Sequence, residues 1–343
     1  MSRRGWWLFA AMSLIWGVPY LLIKVAVGGV EPPVLVLARV GIGAALLLPL
    51  AIRRRELAPL LPHWRWLMLF AVVEIMAPWL FLSEAETRLP SSLSGLLIAS
   101  VPILVALLSR LTGGQDRLTA VRWAGLLIGL GGVGLLVAGG GAHGDATAVG
   151  EVLLVAVCYS IGPLIAARKL SGLPSLGMTA ACLALAAIVY APLAALTWPS
   201  AVPSGKVLAS LAGLAVLCTA AAFVLFFALI AEAGPARASV ITYINPAVAV
   251  TLGVLVLGER LTVPMAVAFV LILGGSVLAT RSGRGARGEV ADASASPADA
   301  TASPADTTAS RPGARAGPAH ASAALAPAQV AGDYQSAPPG APD

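Results

Sequence analysis

Charge is scarce in this chain. Only 11% of its 343 residues are Asp, Glu, Lys or Arg, less than half of the about 25% that keeps the surface of a soluble domain wet. Cysteine is nearly absent as well. Cys158, Cys182 and Cys218 are the three in the sequence, all inside apolar runs. An odd number without close spacing excludes a disulfide framework and a cysteine metal site, and leaves small buried hydrophobes. Histidine is rare too: His63 and His143 fall between apolar runs. There is no His-rich cluster, no Gly-x-Ser-x-Gly elbow and no pair of acids within a span, which argues against an intramembrane enzyme. The formal charge of +6 comes without a basic patch interleaved with aromatics, so no nucleic-acid partner is expected.

What the chain does have is long apolar runs. The hydrophobic share is 58% and the mean hydropathy +0.89. A helix of about 20 mostly apolar residues crosses a hydrocarbon core of about 30 Å. Ten runs qualify: Trp6–Val27, Pro33–Ile52, Trp66–Leu82, Ser92–Leu111, Ala120–Ala138, Val149–Ala167, Leu176–Trp198, Val207–Ala231, Ala236–Leu257 and Val263–Thr280. The first is longer than the roughly 7–15 residues of a signal h-region, so it reads as a span and not a cleaved leader. Short linkers with turn formers, such as Gly28-Gly29, Glu31-Pro32-Pro33 and Gly139-Gly140-Gly141, separate the runs.

The cations set an orientation. With the N-terminus inside, fifteen Lys and Arg fall in inner segments, among them Arg53, Arg54, Arg55, Arg168 and Lys169. Three, Arg88, Lys206 and Arg260, fall outside. That bias places both termini in the cytoplasm. From residue 282 to Asp343 the composition turns to Ala, Pro, Ser, Thr, Gly and Asp, with Ser-Pro-Ala-Asp twice. Such a segment cannot bury enough apolar surface to order itself, so a disordered cytoplasmic tail is expected.

The chain also repeats itself. Asp116-Arg117-Leu118-Thr119 precedes Glu259-Arg260-Leu261-Thr262 by 143 residues, and Gly131-Gly132 precedes Gly274-Gly275 by the same offset. Pro102 and Pro246 lie 144 apart, and Trp16-Gly17 matches Tyr159-Ser160 more weakly at 143. Each half then holds five spans. Because five is odd, the second half starts on the opposite face. The expected fold is an all-α membrane protein of ten transmembrane helices in two inverted five-helix repeats, residues 1–141 and 142–281, followed by the tail 282–343. Inverted repeats let one midplane site face either side in turn.

Ala238-Ser239, Asn245-Pro246, Gly258-Glu259-Arg260-Leu261-Thr262 and Gly274-Gly275, with Trp16-Gly17 and Lys24 at the start, resemble the signatures of EamA-type members of the drug/metabolite transporter superfamily. The likeness covers about residues 5–281. It implies a ten-helix carrier with a central cavity, in the bacterial inner membrane, for export or uptake of amino acids, metabolites or drug-like compounds; export is the expected direction. Ala268 departs from a position where that family often has Gly; its repeat mate Gly125 keeps it. A channel, a flippase for a lipid-like substrate and a non-transporting scaffold are the other readings. The partners expected are a small-molecule substrate and the lipid bilayer, with a homodimer left open. No cofactor is expected, with coupling to protons left open too.

Ionisable groups within a span cost about 2.5–3.5 kcal/mol each on insertion scales, so they point to function. Glu74 lies in the middle of the third run, about 12 Å deep by helical rise. It is the candidate for binding a cationic group or a coupling proton, or else for an ion pair with Arg39 in the second run. Lys24, near the outer end of the first, is either a ligand or a snorkelling anchor. Trp16, Trp79, Tyr159 and Tyr243 are aromatics inside spans and not at the interface belt. They line a cavity or pack helices. Asn245-Pro246 removes a backbone donor, and the Asn side chain is expected to satisfy a freed group. Gly17, Pro19, Pro78, Pro102 and Pro246 mark helix irregularities. Gly129-Leu130-Gly131-Gly132-Val133-Gly134 has no strand before it, which excludes a nucleotide fingerprint and favours close helix packing.

Overall fold

Backbone donors and acceptors have no water to bond within a bilayer, so an apolar chain must satisfy them within its own helices. The computed structural model describes residues 1–111, 119–138 and 145–280. Among these every regular element is helical and no strand occurs. Nine helical stretches are long and apolar enough to cross a membrane: α1 (Arg3–Ala26), α2 (Pro32–Arg53), α3 (Ala58–Arg88), α4 (Ser91–Leu108), α5 (Ala120–Ala138), α6 (Ala146–Lys169), α7 (Ser175–Leu196), α8 (Gly205–Ala233) and α10 (Val263–Thr280). Between the last two lies α9 (Ile241–Leu257), apolar but only 17 residues long. The expected tail, the Asp116 loop and the Gly139-Gly140-Gly141 turn lie outside the described residues.

Two of the ten expected runs end elsewhere. The third was expected over Trp66–Leu82, yet α3 stays helical to Arg88, which carries Glu84, Glu86 and Arg88 onto the helix. Hydropathy truncated it because polar residues with good helix propensity look like a loop to a window that counts only apolarity. The ninth was expected as one helix over Ala236–Leu257. A short helix, Pro235–Ala238, precedes α9 instead, with the break at Ser239-Val240. Pro246 remains inside α9.

Four further helices are irregular, mostly beside proline, which brings no N–H to the ladder. α1 breaks at Trp16-Gly17-Val18, ahead of Pro19. α4 breaks at Ala99-Ser100, ahead of Pro102. α3 widens to a π-helical turn at Val72–Met76, two residues before Pro78, and α8 widens over Gly213–Ala221. Neighbours fill the freed backbone groups. Tyr190 of α7 donates its hydroxyl to the Met76 carbonyl at 2.9 Å. The carbonyl environment orients the Asn245 amide, whose nitrogen donates to Ser13 O at the α1 break (3.1 Å) and to Ile241 O (2.9 Å). At Gly17 a side chain would run into Val248 of α9, so only glycine lets that helix sit on the break.

The bundle is held by couples that join the two halves. α5 packs on α10, α2 on α7, α4 on α9, α3 on α6 and α1 on α8. The α5–α10 crossing brings backbone against backbone: a Cβ on Gly275 would stand 2.5 Å from Gly129 N and 2.6 Å from Gly125 O. Small residues allow this approach, and dispersion then replaces the hydrophobic drive that lipid removes. Ala268 is buried in the same crossing and its carbonyl faces Gly132. The glycine-rich stretch is therefore a packing seam.

Candidate functional site

The interrupted helices line a cavity of about 240 Å³. The α1 break contributes Trp16, Pro19 and Tyr20. The π turn of α3 contributes Glu74, and that of α8 contributes Cys218. α4 adds Pro102, α6 adds Tyr159 and α9 adds Asn245 and Pro246. A regular helix presents only side chains to a neighbour. A break or a π turn displaces the ladder and opens space, which is why such turns gather at functional sites.

Two opposite charges face this space without facing each other. Arg39 of α2 is buried, its guanidinium carbon 3.5 Å from the centre of the Trp79 ring. Its Nε donates to Thr219 Oγ1 at 3.0 Å, and the Thr219 hydroxyl donates to Leu214 O at 2.8 Å, a carbonyl of the π turn. A cation over an aromatic face in a desolvated site is worth about 2 kcal/mol. Glu74 points elsewhere, against the bare Cα of Gly162 on α6, where any side chain would collide with the carboxylate. Its Oε2 is buried without a hydrogen-bond partner. The ion pair with Arg39, one of the two readings of Glu74, is not formed; Arg88 does form salt bridges, with Asp145 at 3.4 Å and Glu151 at 2.6 Å. Arg39 finds its partners on α8 and α3, which the sequence order of neighbouring helices does not reveal.

Several candidates lie off the cavity wall. Lys24 does not snorkel to solvent: its Nζ donates to the carbonyls of Glu86 (2.6 Å) and Leu89 (2.8 Å) at the end of α3. Tyr243 turns away from the cavity and shares a 2.6 Å hydrogen bond with Thr280. Gly17 and Pro78 shape the helices behind the wall. Sequence reading missed Tyr20, Thr179, Cys218 and Ser239, all on the wall. One of these carried a signal, because Cys218 follows Glu74 by 144 residues, the same offset as the two prolines. Sequence reading also missed Glu86, fully buried on α3 with neither carboxylate oxygen hydrogen-bonded.

A multi-pass helical membrane protein with a charged, aromatic-walled cavity at the level of its helix breaks has the form of a solute carrier. The sequence pattern of the EamA-like transporter family matches residues 3–138 and again 147–281, and the chain belongs to that family. Its relatives include the inner membrane transporter YedA of Escherichia coli K12, 28% identical over 257 residues that cover 74% of this chain and 82% of YedA. The transporter YvbV of Bacillus subtilis is 23% identical over 274 residues, covering 78% and 88%. A solved crystal structure superposes with a TM-score of 0.59 at 23% identity, over 82% of this chain and 97% of that one. The shared fold follows from it.

Proposed function

We propose that this protein is a secondary carrier that moves a small metabolite, amino acid or drug-like solute across the inner membrane by alternating access, with outward net transport. One observation carries the reading: a carboxylate and a guanidinium are exposed to the same interior cavity, each left free of the other. Burying two charges without pairing them is costly, so a solute or a proton that complements them in turn accounts for their presence. Glu74 is the proposed coupling group and Arg39, held by Thr219 and Trp79, the fixed counter-charge for an anionic or polar part of the solute.

The helix couples support two inverted repeats of five spans. Adding five to each helix number maps α2–α7, α4–α9 and α5–α10 onto themselves and exchanges α1–α8 with α3–α6. A two-fold relation between the halves has that consequence. In this reading α9, with the short helix before it, completes ten spans and both termini are cytoplasmic. Reporter fusions after Gly141 and after Arg281 should report outside and inside respectively. The same side for both would remove the odd-numbered half.

The carrier itself is tested in liposomes with a panel of amino acids, nucleosides and lipophilic drugs. Uptake of a true solute should saturate, and vesicles loaded with unlabelled solute should accumulate labelled solute transiently by counterflow. Conductance that rises linearly without saturation would establish a channel. Absence of flux across the whole panel would count against the carrier reading and favour a scaffold.

A further inference from the structure

The outer ends of α3 and α4 meet at Leu89-Pro90, and this joint is tied from both sides. On the α3 side, Lys24 of α1 donates to the carbonyls of Glu86 and Leu89, the last acceptors of a helix whose C-terminus favours a cation. On the α4 side, Glu259 from the α9–α10 turn accepts from Ser91 N at 2.7 Å, Ser91 Oγ at 2.9 Å and Ser92 N at 2.9 Å. That is an N-cap supplied by the other half of the molecule. The chain is shaped for it. Gly258 takes a left-handed turn (φ 67°) that folds Glu259 back, and a Cβ on Gly253 would stand 2.5 Å from Glu259 Oε2.

Within this clamp the polar groups are not all satisfied. Glu86 is 0% exposed, and neither of its carboxylate oxygens has a hydrogen-bond partner; Ser92 Oγ, across the joint, has none either. Buried polar groups without partners are rare. Three of them stand at this one joint. The charges around Glu86 are Lys24 of α1 and Glu259 of the α9–α10 turn, with the Tyr20 hydroxyl also on α1. From α6, Glu151 is engaged by Arg88, and Glu31 ahead of α2 lies toward Glu84. Arg39 and Glu74 face the cavity instead.

We propose that Glu86 is a proton-binding residue that sets this outer clamp, separate from the cavity site. With a proton on Glu86, Lys24 stays on the two carbonyls and the joint is closed. When the proton passes to outside water, the carboxylate draws the Lys24 ammonium off those carbonyls and stands as a second negative charge beside Glu259. Both effects part α3 from α4 and admit water to Glu86. The proposal rests on the orientation given above, with this end of the bundle outside.

Cys218 on the cavity wall is a native reporter once Cys158 and Cys182 are replaced by Ala; Leu82→Cys in a cysteine-free chain is a second, nearer this end. An impermeant maleimide is added outside intact cells. Each rate is divided by that of the same cysteine in detergent-unfolded protein at the same pH, which removes the thiol's own ionisation. The normalised rate should rise about tenfold or more from acid to alkaline pH. Glu86→Gln, which keeps the shape and stays neutral, should hold the normalised rate low and flat across pH. Where that variant does not accumulate, Glu86→Leu serves instead. Lys24→Met should raise labelling already at the acid end. A normalised pH response that survives Glu86→Gln overturns the proposal. Loss of the carrier reading shows separately, as absent solute flux in liposomes.

Discussion

Replacing Glu74 by Gln should abolish coupled transport while membrane abundance stays near normal. The substitution keeps the side chain's shape against Gly162 and removes only its charge. No salt bridge is lost, because Arg39 is held by Thr219 and the Trp79 ring. A hydrogen bond to a charged group contributes about 1.5–3 kcal/mol, so a cationic solute that uses the carboxylate should lose about 10- to 100-fold in affinity. A solute driven by protons should lose accumulation altogether while counterflow persists. Adding Arg39→Gln should not restore activity, since the two charges do not compensate each other. Recovery of transport in the double variant would show a structural pair and remove Glu74 from the coupling role.

The second large effect concerns assembly. Gly275→Val should prevent α5 and α10 from closing, and little folded protein should reach the membrane. The added atoms would fall on Gly129 N and Gly125 O, which are backbone and cannot step aside. Overpacking of a tight interior costs about 1–3 kcal/mol and sometimes more, and here the whole crossing must separate. The adjacent Gly274 is the control, because a methyl group added there would meet no atom within 4 Å. Gly274→Ala should accumulate and melt like the parent in detergent, as followed by size-exclusion of a fluorescent fusion. Equal behaviour of the two variants would mean that the seam does not hold the bundle.

Much of the fold could be read before any coordinates, because the bilayer imposes a one-dimensional rule. Long apolar stretches must become helices, and their lengths and flanking cations are local properties of the chain. The family match over residues 3–138 and 147–281 was legible for a similar reason, in repeated turns such as Gly258-Glu259-Arg260-Leu261-Thr262. Prolines likewise announced three of the interruptions, at Pro19, Pro78 and Pro102. The π turn of α8 had no such sign, since its cause lies in packing and in the Thr219 hydroxyl that serves Leu214 O.

Which residues share a site was decided only in three dimensions. Sequence determined that Glu74 and Arg39 both sit within apolar helices, and left open whether they pair or face a cavity. Tertiary structure placed Thr219, 180 residues from Arg39, and the Trp79 ring against the guanidinium instead, and left the carboxylate on Gly162. It also turned Lys24 from an anchor into a cap for α3 and hid Glu86, which hydropathy had assigned to a loop. A hydropathy window sums over neighbours in the chain and is blind to direction. Burial, partner and charge balance depend on which face of a helix meets which other helix, and that is settled by packing between segments 40 to 180 residues apart.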